Sequence, residues 1–242
     1  MKPNKERYPR AFRMLVFALF IGLLVFPMAI STPYGPVIDS NTTEDPGEKQ
    51  TGTLMNHTKG KITTVLFNLS QPNSDWKGYV GNISGTLVLD DANNNTLFEW
   101  SFTTLTGEVF ATRASGTPTW TSISCADSGE VATENTFFSH GTDIDNITNT
   151  FDNGNHKQVI VGGNTISANS CSYSDYTYVS DAAQTSTFSE VLLHDGSNIV
   201  YTSVLEDDST GFDGTSYDFQ MILPDNGDTS INTAFYFYVE LG

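Results

Sequence analysis

The sequence predicts a mainly β protein: an antiparallel β-sandwich, jelly-roll or immunoglobulin-like, with one or two short helices. Two observations carry this. From Trp76 onward, short runs alternate apolar and polar residues, the period of a half-buried strand. Clusters of Gly, Pro, Asn and Asp interrupt them at intervals of about ten residues, the spacing of a sandwich or barrel.

Taken in order, KITTVLFNLS (61–70) sets Val65, Phe67 and Leu69 on one face and reads as the first strand. WKGYVGNISGTLVLDD follows with Tyr79, Ile83, Leu87 and Leu89 aligned, and with Gly81 and Gly85 as points of bending or close backbone contact. DDANNN makes a turn. TLFEWSF then returns with Phe98, Trp100 and Phe102 on a common face, which predicts a hairpin with Trp100 in the core. Further strands are expected at 107–113, 118–124, 157–163, 176–180, 186–195, 197–207 and 216–225. Helices are expected at Ser128–Phe137 and at Asp143–Phe151, the second capped by Thr142 or Asp143.

The last strand, TAFYFYVEL (233–241), places Phe235, Phe237, Val239 and Leu241 on one side and Tyr236, Tyr238 and Glu240 on the other. Such a strand is expected at the centre of a sheet, covered on both faces. The alternative is self-assembly: an open strand edge accepts a strand from another chain. KITTVLFNLS, on a polar leash, has the form of such a donor.

Charge and the N-terminus bear on compartment. The 242 residues carry 28 acidic and 11 basic side chains. Lys2, Lys5, Arg7, Arg10 and Arg13 precede the apolar run Met14–Ile30, and Ala29 and Ser31 are small residues at a cleavage-type position. Residues 1–31 therefore read as a signal peptide or an N-terminal membrane anchor, with the remainder outside the cell or on its surface. Without that segment 6 basic and 27 acidic residues remain, a net charge of −21. A surface so negative repels phosphates, which argues against nucleic acid as a partner.

Residues 32–60 hold few large apolar side chains and read as a flexible polar stalk, leaving 61–242 as the sandwich domain. Glycosylation acceptors stand at Asn41, Asn56, Asn68, Asn82, Asn94 and Asn146. The only two cysteines, Cys125 and Cys171, are expected to form a disulfide.

No catalytic residue is assigned. The four histidines, His57, His140, His156 and His194, fall in polar stretches, and no GxSxG elbow accompanies Ser139-His140. Among the acids, Glu99 and Glu190 stand out inside apolar runs and are expected to face solvent. Calcium is the one cofactor the loops suggest, since it takes oxygens from Asp and Asn in turns. Asp90, Asp91, Asn93 and Asn95 form the leading cluster, ahead of Asp207, Asp208 and Asp213, and of Asp225 and Asp228. Exposed aromatics could bind glycans. Tyr173, Tyr176 and Tyr178 are the available group, expected to cover the disulfide.

The segments WKGYVGNISG, GEVFATR, SISCA, DFQMILP and YFYVEL resemble exported proteins of archaeal cell surfaces over residues 76–242. That resemblance implies compartment and no activity. An export segment, a polar leash and an acidic sandwich are also similar in architecture to matrix and pilus subunits that polymerise by strand donation. Together these readings point to a structural or adhesive surface protein pairing with copies of itself or with other surface proteins. A carbohydrate-binding module or glycan-active enzyme is the alternative.

Overall fold

The computed structural model describes residues 32–46, 52, 54, 59–67, 69–227 and 233–242. The expected segment 1–31, Asn56, Asn68, His57 and Asp228 lie outside them. The protein is mainly β and antiparallel, with two short helices, as expected.

Six strands form the central sheet. Its order is β14 (Tyr236–Leu241), β4 (Gly107–Thr112), β10 (Ile199–Val204), β9 (Ser189–His194) and β5 (Ser124–Cys125). β8 (Ser174–Tyr176) shares the outer edge of β9 with β5, pairing with its first half. Period-two alternation sends neighbouring residues to opposite faces, and both faces are covered. Val109, Ala111, Leu192, Ile199 and Tyr201 enter one core. Phe110, Val191, Leu193 and Val200 enter the other.

The first face is covered by helices α1 (Ser128–Phe138) and α2 (Ile147–Thr150) and by the ribbon of β1 (Trp76–Gly81) and β13 (Phe219–Pro224). α1 begins where the sequence supplies a capping box. The Asp127 side chain accepts from the amides of Gly129 and Glu130, and the Glu130 carboxylate accepts from the amide of Asp127. It stops at Ser139, which takes a left-handed conformation. Arg113, just past β4, grips Glu134 of α1 with Nε and Nη2 at 2.9 and 2.5 Å, and the Tyr201 hydroxyl donates to the same carboxylate. α2 is shorter than expected. Residues 143–146 close a turn, and the Asn146 side chain caps the helix by accepting from the amide of Asn149.

The second face is covered by the hairpin of β6 (Val159–Val161) and β7 (Asn164–Ile166), by Trp120 and by the disulfide. Cys125 and Cys171 are bonded, with a Cα separation of 5.2 Å. His156 braces the join: its Nδ1 donates to the Lys157 carbonyl, and its Nε2 accepts from the Cys171 amide at 2.9 Å. The bond closes a loop of 46 residues. In the chain-entropy model that is worth about 4 kcal/mol. Replacing both cysteines by alanine is expected to cost about that much in denaturant unfolding, and a loss below about 1 kcal/mol would show that packing alone holds this layer.

Three expectations are corrected. KITTVLFNLS is no strand: its described residues are exposed and irregular, so the body begins near Asn73. The TAFYFYVEL strand is covered on both faces but lies at the edge of the sheet, not its centre. The hairpin of β2 (Thr86–Asp90) and β3 (Thr96–Ser101) does form, but it projects from the body. Trp100 is 50 % exposed on it, outside the core. β11 (Ser209–Thr210) and β12 (Ser216–Tyr217) make a small separate hairpin.

Candidate functional site

The strongest candidate is the outer edge of β14. Opposite β4, backbone groups alternate between facing the partner strand and facing outward. Val239 faces outward, because its amide and carbonyl pair with Tyr34 at 2.8 and 2.9 Å. By the same alternation Phe237 and Leu241 turn their amides and carbonyls to the outside, and among the described residues no backbone partner meets them there. A residue of the N-terminal stalk region is thus already docked as a strand on this edge, through a single pair.

Two buried acids stand behind that edge. Glu240 on β14 is in register with Glu108 on β4, and both are almost wholly buried. Each accepts from the β6–β7 hairpin: Glu108 from the Ile160 amide at 2.7 Å, Glu240 from the Gly162 amide at 3.0 Å. Burial, with Glu240 alongside, pushes the Glu108 carboxyl up to about 8 against the pull of the Ile160 amide. Burial also raises Glu240. Glu190 does the same work on the other face. It is fully buried, accepts from the Ile222 amide of β13 at 2.9 Å, and burial holds it well above the usual carboxylate range. The three glutamates are struts that satisfy amides of the covering layers, not a paired acid and base. Glu190 is therefore corrected from solvent to interior, whereas Glu99 is exposed on β3 as expected.

The expected cation loop is used differently. Asp91 spends its carboxylate on its own turn, accepting from the amides of Asn93 and Asn95 and from the Asn95 side chain. Those bonds, Asn95 first, hold it below the ordinary carboxylate range. Asp90 pairs with Thr96 as the last step of the hairpin. Asp213 likewise closes a turn on Thr215 and Tyr217, and Asp225 accepts from the amide of Asn226. The carboxylates that converge are Asp75, Asp143 and Asp145, whose oxygens lie within 4.8 Å of one another. They belong to the start of β1 and the α1–α2 loop, which adjoin because the Trp76 indole donates to the Asp145 carbonyl. These three could hold one divalent cation. The signal for them was absent from the sequence, since 68 residues separate Asp75 from Asp143.

The remaining residues fall into structural places. His140 is buried beside Trp76 and Phe138 with Nε2 on the Asp225 carbonyl, so it forms no dyad with Ser139. His194 lies 2.7 Å from Glu130. Tyr173 packs in the core opposite the disulfide and Tyr176 is buried, so only Tyr178 of that group is exposed. Asn41, Asn82 and Asn94 are exposed acceptor positions. Asn146 is buried, its side chain donating to the Asp143 carbonyl and accepting from the Asn149 amide.

No protein-family model matches this chain, and neither a curated protein nor a solved structure does. Among the described residues no helix is long and apolar enough to cross a membrane.

Proposed function

We propose that this protein is an exported structural or adhesive subunit of a cell surface or extracellular matrix. Copies join head to tail, the 61–69 segment of one adding as a strand to the outer edge of β14 in the next. One observation carries the reading: β14 offers outward amides and carbonyls at Phe237 and Leu241, and a stalk residue, Tyr34, already occupies the position between them. Supporting it, the same chain leaves Ile62, Leu66, Phe67 and Leu69 exposed in a segment that has no partner strand among the described residues. Main-chain pairing gives such a joint its strength and alternate side chains give it register. Because the contact joins two different surfaces, it grows an open filament when the rotation between copies does not close on itself. The disulfide and the acidic exterior suit an extracellular location.

Size-exclusion and electron microscopy of the secreted protein test this. The full chain is expected to form high-mass linear species. Deletion of 61–70 is expected to leave a folded monomer, and free peptide 61–70 to cap growth of the full chain. Undiminished assembly after the deletion would refute the donor role.

A further inference from the structure

The β6–β7 hairpin covers the second core without joining the central sheet. Among the described residues its strands pair only with each other, closed by Gly162 and Gly163, both left-handed. Val161 and Asn164 flank that two-residue turn and face each other, so Ile160 turns its amide outward, where a neighbouring strand would meet it. A carboxylate meets it instead: Glu108 accepts from Ile160, and Glu240 from Gly162. The tip presses on Trp120. A Cβ on Gly162 would come within 2.9 Å of the Trp120 Cβ, and the Asn164 side chain donates to the Trp120 carbonyl. Val159 and Val161 are fully buried in the second core.

The two carboxylates stand against each other. They are opposite in the β4–β14 register, with Cβ atoms about 5 Å apart on one face, and both are almost wholly buried. Among the described residues no base faces them. β10 brings Val204 opposite Glu108, β14 adds Tyr238 on the same face, and the hairpin brings main-chain amides. At the hairpin's root Lys157 is committed to Glu206, and His156 to the Lys157 carbonyl and the Cys171 amide. Two buried like charges without a counter-ion do not persist: either protons stay on the pair or water reaches it. Burial, with Glu240 alongside, accordingly holds Glu108 at about 8, and burial raises Glu240.

We propose that the β6–β7 hairpin is a proton-latched flap, closed over Trp120 while the Glu108–Glu240 pair keeps its protons and lifted when the pair is charged. Lifting this layer is the smallest movement that hydrates the pair. The hairpin is tied to the sheet by side chains, whereas β14 is zipped to β4 over six residues. Fixed points lie at both ends of the flap. The Lys157 amide donates to the Ser189 hydroxyl before β6, and the disulfide holds Cys171 after β7. An open flap exposes Phe110 and Trp120 of the second core. The device is independent of head-to-tail assembly.

Closure takes up a proton. It is therefore tightest below about 4.5, weakens about tenfold per pH unit above that, and levels off past about 8.

Hydrogen exchange of the full chain from pH 5 to 9, disulfide intact and corrected for intrinsic base catalysis, tests this. The Ile160 and Gly162 amides are expected to lose protection about tenfold per unit between pH 6 and 8. At every pH they should be at least about a hundredfold less protected than the amides of β9 and β10, the mark of a local opening. A Glu108→Gln, Glu240→Gln variant keeps both acceptor oxygens and has no charge to gain, so its hairpin profile is expected to be flat. A flat wild-type profile, or a slope kept in the variant, would overturn the proposal. Hairpin amides as protected as those of β9 and β10 would also overturn it, because the hairpin would then open only with the whole fold. So would Tyr238 and Glu240 amides that exchange as fast as the hairpin's, since β14 would then be the part that moves. Should the variant fail to fold, the wild-type profile and these comparisons decide alone.

Discussion

Glu108→Gln is expected to make stability fall less steeply toward alkali than it does in the wild type, leaving the smaller slope that Glu190 and Glu240 contribute. Glu108 is held at about 8 in the folded protein by burial, with Glu240 adding to it, against 4.5 for the unfolded chain. A carboxyl raised in this way binds more protons folded than unfolded, so its contribution is complete below about 4.5 and is lost as pH rises through about 8. Integrated over that window, one such group is worth on the order of 4 kcal/mol. Glu240 and Glu190 are raised as well and act in the same direction. His156 acts oppositely: burial lowers it, so its contribution fades as pH falls below its ordinary value of 6.5. Glutamine keeps the carbonyl that accepts from Ile160 and removes the charge that faces Glu240. Denaturant midpoints from pH 5 to 9 decide the matter. The variant should be the more stable protein at pH 8.5, and a wild-type slope retained in the variant would show that Glu108 does not carry the effect.

Gly107→Ala is the second large effect, and it is destabilising. Gly107 has φ of +130°, a region glycine alone enters readily. A Cβ there would overlap the carbonyl oxygen of Glu240, the residue before Gly107's own register partner Leu241. Backbone strain and this collision together are expected to cost more than about 3 kcal/mol, and the relief open to the chain is to peel β14 from β4. Hydrogen exchange should then show the Tyr238 and Glu240 amides losing protection before those of β9 and β10. A melting temperature within 2 °C of wild type would mean that the end of β14 is not seated as described, given the shift of several degrees that even about 1 kcal/mol produces.

Much of the body was legible because alternation is a local signal. GEVFATR, FSEVLLHD, NIVYTSVLE, DFQMILP and YFYVEL became β4, β9, β10, β13 and β14 within a few residues. The helix expected at Ser128–Phe137 became α1, though the Asp127-to-Glu130 capping box that fixes its start was seen only in the structure. Alternation says which residues share a face, though not whether anything covers that face. The described residues of KITTVLFNLS and the β2–β3 hairpin have the same pattern as the core strands, and both are exposed. Glu190 was misjudged, and Glu108 and Glu240 passed over, for a related reason. An acid in an apolar run reads as an outward residue unless an amide waits for it, and the amides of Ile160, Gly162 and Ile222 lie 52, 78 and 32 residues away. One clue existed. Glu108 shares its face with Phe110 and Glu240 with Tyr238, an odd place for a solvated charge. The Asp75, Asp143 and Asp145 group gave no such clue, because only the fold brings it together.

If copies add strand to strand as proposed, the Tyr34 pair has a kinetic consequence. The edge is not wholly vacant: Tyr34 sits on Val239 with two main-chain bonds, flanked by positions at Phe237 and Leu241 that are open among the described residues. An arriving strand can take hold at either open position and then displace Tyr34 by branch migration, as one nucleic-acid strand displaces another from a toehold. In the strand-addition assembly proposed above, such an exchange would let a filament end grow without prior unfolding.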